Sequence, residues 1–117
     1  MSEIAVDELA TRLSELTVLD VRTQREFDGS AGQSCDPRQG HIPGARHLDI
    51  YRLLEMTTDE VRTHLGLADG AEVVAYCHSG SRSAIATQVL VSLGYDARNY
   101  VGSWHEWSRH DDLPIEG

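Results

Sequence analysis

Val73-Val74-Ala75-Tyr76-Cys77-His78-Ser79-Gly80-Ser81-Arg82-Ser83 changes character twice within a short span. An apolar, partly β-branched run gives way to a small polar stretch around one glycine. Beyond it Ile85 with Val89 and Ala86 with Leu90 share helical faces, up to Gly94, a natural terminator. This predicts a buried strand over 73–76, a tight loop, and a helix over 83–93. Working outward, Val18-Leu19-Asp20-Val21, His47-Leu48-Asp49-Ile50 and Asn99-Tyr100-Val101 read as further short strands. Val6, Leu9, Leu13 and Leu16 recur at helical spacing, with Asp7 and Glu8 where negative charge suits the helix dipole. Thr57–Leu65, capped by Thr57 or Thr58, and Trp104–Arg109 read as two more helices. Strands joined by helices run parallel with helices on both faces, so the pattern predicts a small three-layer α/β domain. In such folds ligands bind beyond the carboxyl ends of the strands, which is where Cys77 falls.

At 117 residues and 13.0 kDa the chain fits one domain over 1–117, with an inserted loop at about 28–39 that carries Pro37 and glycines nearby. No apolar run approaches the roughly 18 residues a membrane span requires, and no membrane partner is expected. Met1 to Glu8 has neither a basic segment nor an apolar signal core, so a cytoplasmic location is expected. Nineteen acidic residues against ten basic ones, all arginines, give a net charge of −9, a surface that repels nucleic acid. The two cysteines, Cys35 and Cys77, are not needed as a structural disulfide in a reducing compartment. No Cys-x-x-Cys is present and His41 with His47 is only a loose spacing, so no metal is expected.

The loop has a chemical use for each residue type. A thiol is nucleophilic as the thiolate, whose formation is favoured by unpaired backbone N–H groups and the positive end of a helix. Gly80 and the flanking serines let successive amides curl around an anion, and Arg82 adds a permanent charge able to donate paired hydrogen bonds to an oxyanion. The plainer alternative is a small buried hydrophobe at Cys77 followed by an ordinary βα turn.

Two further segments, taken in chain order with this loop, favour the first of these readings. Leu19-Asp20-Val21-Arg22 with Glu26-Phe27, then Gly40-His41-Ile42-Pro43-Gly44-Ala45, then Cys77 to Arg82, make the sequence resemble the rhodanese family over nearly its whole length. That resemblance implies a rhodanese-like domain with a mainly parallel sheet of about five strands. It implies a sulfurtransferase that moves a sulfane sulfur from thiosulfate, or a related small anion or persulfide, to a thiol, cyanide or sulfur-carrier protein. Cys77 would carry the sulfur as a persulfide and His78, Ser79, Gly80, Ser81 and Arg82 would bind substrate. Asp20 would help hold Arg82 or the loop amides, and no cofactor would be needed.

Two rival classes stay open beside it. One is a non-catalytic rhodanese-like interaction or regulatory domain. The other is a cysteine-dependent phosphatase or arsenate reductase, whose loops resemble this one but place five residues between cysteine and arginine in the tyrosine phosphatases, against four between Cys77 and Arg82. Two departures from the family pattern stand out. The stretch from Phe27 to Gly40 is long and holds Cys35, a candidate redox partner or sulfur acceptor for Cys77 if that loop folds over the site. Ser103 stands where the family often has a second glycine. His41 reads as structural, and Trp104 and Trp107 as residues packed on the sheet.

Overall fold

The computed structural model describes residues 3–117, and the central strand is where the sequence places it. The elements run α1 (Val6–Thr11), β1 (Thr17–Asp20), α2 (Gln24–Phe27), β2 (Arg46–His47), α3 (Ile50–Glu55), α4 (Thr58–Leu65), β3 (Glu72–Tyr76), α5 (Ser81–Ser92), β4 (Asp96–Asn99) and α6 (Ser103–Trp107). The strands lie in the order β2-β1-β3-β4 and every pairing is parallel.

The sheet among the described residues has four strands, not about five. Where a fifth would add beside β4, Glu3 makes only an isolated parallel bridge with Asn99, and the Ile4 amide donates to the Asn99 carbonyl at 3.1 Å. The described chain then enters α1 at Val6. Two strands also shift. Asp49, expected inside a strand, caps α3 by accepting from the Tyr51 amide, so β2 is over by His47. The last strand begins earlier than its apolar run suggests, at Asp96, because an edge strand needs only Ala97 and Asn99 buried. The first helix stops at Thr11, while Leu13 and Leu16 still pack onto the core from the turns that follow.

Side-chain alternation along β3 builds both halves of the interior. Val73, Ala75 and Cys77 join Leu19, Val21, Leu53, Val61, Ala86 and Leu90 on one face, under α3, α4 and α5. Val74 and Tyr76 join Leu9, Val18, Ile42, Trp104 and Trp107 on the other. A strand buried on both faces is what a central parallel strand demands, hence the unbroken apolar run before Cys77. Chain order reverses between β1 and β3, so the crevice beyond their carboxyl ends is the topological switch point. Asp20 and Tyr76 are register partners there, and Cys77 is the next residue.

Candidate active site

Cys77 is buried, and its sulfur lies inside a ring of donors. The Gly80 amide is 3.1 Å from Sγ, the Ser83 amide 3.4 Å and the Ser83 hydroxyl 3.4 Å. Gly80 makes this possible, since its φ of +97° turns the chain from β3 into α5 so that these amides converge. Burial alone pushes the thiol pKa up. Hydrogen bonds from the Ser83 hydroxyl and from the Ser83, Gly80 and Ser79 amides outweigh it, and the thiol sits below its ordinary value. Ser83, which the sequence reading left out of the site, is thus its strongest side-chain donor to sulfur. Its position on the first turn of α5 was the available signal.

Arg82 does not reach Asp20. Its guanidinium makes a paired contact with Glu26, at 3.0 and 3.3 Å. Glu26 is held by α2: its carboxylate accepts from the Thr23 amide and hydroxyl, while Thr23 accepts from the Glu26 amide, a complete capping box. Burial pushes the Glu26 carboxyl up, but Arg82 and the Thr23 amide overcome that and bring it to about 2, from 4.5. The folded state therefore binds this proton less readily than the unfolded chain, and the contact stabilises fully above about pH 4.5 and not at all near pH 2. We expect the melting temperature of Glu26→Gln to fall below that of the parent at neutral pH and the gap to close as pH drops through this window. A pH-independent gap would mean that the pair contributes packing only.

Asp20 serves a different arginine. Its carboxylate accepts from the Arg22 amide at 2.9 Å and from the Arg22 guanidinium at 2.7 to 3.1 Å, and both side chains are fully buried. Arg22 passes between Tyr76 and Trp104, with its central carbon 5.5 and 5.0 Å from their rings, and donates to the Gly40 carbonyl at 2.6 Å. The expectation that Asp20 holds Arg82 or the loop amides is corrected by this geometry. A buried carboxylate takes the nearest cation, and Arg22 is two residues away on the same strand end. The pair fastens the 40–45 turn to the sheet. His41 in that turn stacks on Phe27 at 3.8 Å and exchanges backbone bonds with Glu116, consistent with a structural role.

The inserted segment folds against the site. Arg38 donates to the carbonyls of Trp107, Ser108, His110 and Leu113, and Trp104 Nε1 donates to the Arg38 carbonyl. Arg109 then holds the Cys35 carbonyl and Asp36 Oδ1. The result places Asp36 Oδ2 2.9 Å from His78 Nε2. Cys35 is an exposed free thiol on the same rim. Neither Asp36 nor its neighbour His105 was singled out from the sequence, because only the folded insertion brings them to His78. Ser103 has a φ of +55°, strained for a side chain and natural for glycine, yet its hydroxyl accepts from the Cys77 amide at 3.1 Å and donates to the Tyr100 carbonyl. Ser79 and Ser81 flank Gly80 in the turn and at the first position of α5.

A family model described as rhodanese-like domain matches residues 5–110. The thiosulfate sulfurtransferase of Pseudomonas aeruginosa is 34% identical over 112 residues, covering 88% of this chain and 41% of that protein. That of Corynebacterium glutamicum is 36% identical over 123 residues, covering 91% and 40%. The chain thus spans about two fifths of the length of these curated relatives. A crystal structure of a probable thiosulfate sulfurtransferase superposes with a TM-score of 0.87 at 44% identity, covering 99% of this chain and 48% of the other. EanB, solved as a cysteine persulfide with ergothioneine, superposes with a TM-score of 0.86 at 20% identity over 97% of this chain and 27% of its own, a likeness of fold alone. The amide-ringed cysteine at the sheet's switch point, and the buried arginine that fastens the 40–45 turn behind it, both lie within the stretch matched, and the chain belongs to the rhodanese-like domain family.

Proposed function

We propose that this chain is a sulfurtransferase of the thiosulfate type, in which Cys77 carries the transferred sulfur. The observation that carries the reading is the convergence of the Gly80 and Ser83 amides and the Ser83 hydroxyl on one buried sulfur. The Cys77 thiolate attacks the outer sulfur of thiosulfate. The sulfur–sulfur bond of the donor breaks, sulfite leaves with the bonding pair, and a persulfide anion remains on Cys77. An acceptor thiolate or cyanide then attacks the outer sulfur, and the Cys77 thiolate departs with that bonding pair. Donors arranged around a buried anion stabilise each charge as it forms, without reorganisation, and no cofactor takes part in either step.

The substrate-facing residues in this reading are His78, Ser79, Gly80, Ser81 and Arg82, with Asp20 supporting the site through Arg22. The 28–39 segment is an insertion that shapes the rim of a single domain. The acidic chain attracts a small anion poorly at long range and Arg82 is paired with Glu26, so the donor is held by the amides that ring Cys77, and a protein or low-molecular-weight thiol accepts the sulfur. Among the described residues no helix is long and apolar enough to cross a membrane. A reducing cytoplasm suits a mechanism that needs Cys77 and its acceptor as thiols.

Incubation with thiosulfate is expected to add one sulfur atom to the intact mass of the parent chain and none to Cys77→Ser, with thiocyanate formed on adding cyanide. Equal gain in Cys77→Ser overturns the assignment. Phosphatase turnover without persulfide formation would turn the reading to the phosphatase class. Neither activity, in a chain that folds, would leave a non-catalytic rhodanese-like domain.

A further inference from the structure

Beside the Cys77 loop, four side chains from three separate segments point at one another. One ligand atom from each of Cys35, Asp36, His78 and His105 lies within 4.8 Å of all the others. We propose that these four residues bind a single thiophilic divalent metal ion, of which zinc is the type, on the rim of the Cys77 loop. One sulfur, one carboxylate oxygen and two imidazole nitrogens are a donor set that suits tetrahedral zinc. With bond lengths of about 2.0 to 2.3 Å, ligand atoms in such a tetrahedron stand about 3.3 to 3.7 Å apart. The closing needed is small, and it falls on Cys35 and His105, the two exposed members.

The second observation is polar and independent of the spacing. Asp36 has a side chain only 1% exposed, and its Oδ2 has no hydrogen-bond partner. His78 Nε2, 2.9 Å away, is buried and has none either. The two atoms stand at ion-pair distance without the alignment of a hydrogen bond, and a metal ion coordinated by both would use the lone pairs that this contact leaves open. The surroundings hold the set in place. The His105 amide donates to the His78 carbonyl at 2.9 Å, and the two rings meet edge to face with centroids 5.5 Å apart. Arg109 holds the Cys35 carbonyl, the His105 carbonyl and Asp36 Oδ1, which leaves Oδ2 as the open oxygen.

Arg109 also places a positive charge beside the carboxylate, so Asp36 alone attracts a cation weakly. Cys35 must supply the compensating negative charge. On binding, a metal–sulfur bond replaces the Cys35 sulfur–hydrogen bond and one proton passes to solvent. This runs against the expectation of no metal, which rested on spacing along the chain. Here the ligands are separated by the loop and sheet that fold them together.

The test uses the full chain carrying Cys77→Ser, which leaves Cys35 as its single thiol, so the result does not depend on the sulfur-transfer reading. Zinc(II) is titrated by calorimetry and cobalt(II) by absorption spectroscopy. The expected result is one ion per chain, with the charge-transfer band of a cobalt–thiolate bond and the intense visible bands of four-coordinate cobalt. Cys35→Ser should abolish the charge-transfer band, and both Cys35→Ser and His105→Ala should weaken zinc binding by more than about tenfold. Absence of one-to-one binding overturns the proposal, as does binding that survives both substitutions. Should Cys77→Ser fold poorly, zinc stoichiometry in the parent against Cys35→Ser gives the same decision: a loss of one ion supports the site and no change refutes it.

Discussion

Gly80→Ala is expected to lower sulfur transfer from thiosulfate to cyanide by about a hundredfold or more. The added carbon has nowhere to go. A Cβ built at Gly80 lies 2.8 Å from the Val101 carbonyl oxygen and 3.2 Å from the Val101 Cα, both backbone atoms that cannot swing aside. The φ of +97° is also one that side chains rarely adopt, a strain of about 1 to 3 kcal/mol. The chain can relieve both only by opening the turn. That withdraws the Gly80 amide from Cys77 Sγ and disturbs the bond from Asn99 Nδ2 to the Gly80 carbonyl. The thiol then moves back up toward its ordinary value, because burial persists while the donors that opposed it are fewer. Rate of alkylation of Cys77 against pH reads this directly. Ser83→Ala is the milder companion: it removes one donor, leaves the backbone intact, and should move the same profile in the same direction by less. An unchanged profile in Gly80→Ala with full activity would show that the amide ring does not act on the sulfur.

The parts of this molecule that were legible in the sequence are those governed by neighbours along the chain. The run before Cys77 is apolar because β3 is buried on both faces, and the loop after it is small and polar because it must curl, so strand, loop and helix could be read together. Trp104 and Trp107 were likewise readable as packed residues, being spaced for one helical face. What could not be read is the choice of charge partner. Asp20 faces Arg22 and Arg82 faces Glu26, whereas the family resemblance implies Asp20 beside Arg82 or the loop amides. Both arrangements satisfy charge, and only the position of α2 decides between them: its capping box fixes Glu26 opposite Arg82. The insertion was visible as a long polar stretch but not its destination. That is set by Arg38, which finds carbonyls left open at the carboxyl end of α6 and after it, groups that exist only once that helix has formed.

The buried pair behind the site leads to the largest expected loss of stability. Asp20→Ala leaves the Arg22 guanidinium enclosed between two aromatic rings with the Gly40 carbonyl as its remaining acceptor, and an uncompensated buried charge of this kind costs about 3 to 5 kcal/mol. Arg22→Met strands the carboxylate in the same way and should cost a similar amount. The double substitution Asp20→Leu with Arg22→Met removes both charges and fills the space with apolar groups, so its cost should fall well short of the sum of the singles. The shortfall should be about 2 kcal/mol or more, read from urea midpoints at constant slope. Recovery should remain incomplete, because the Gly40 carbonyl loses its donor and the 40–45 turn its tether to β1. Folding free energies are only about 5 to 15 kcal/mol, so Asp20→Asn, which keeps the shape and one acceptor oxygen while dropping the charge, serves as the single where Asp20→Ala does not fold. Additive losses would mean that the two residues act separately. Non-additive losses would establish the pair as the fastener that keeps the carboxyl ends of β1 and β3, and with them Cys77, in register with the turn.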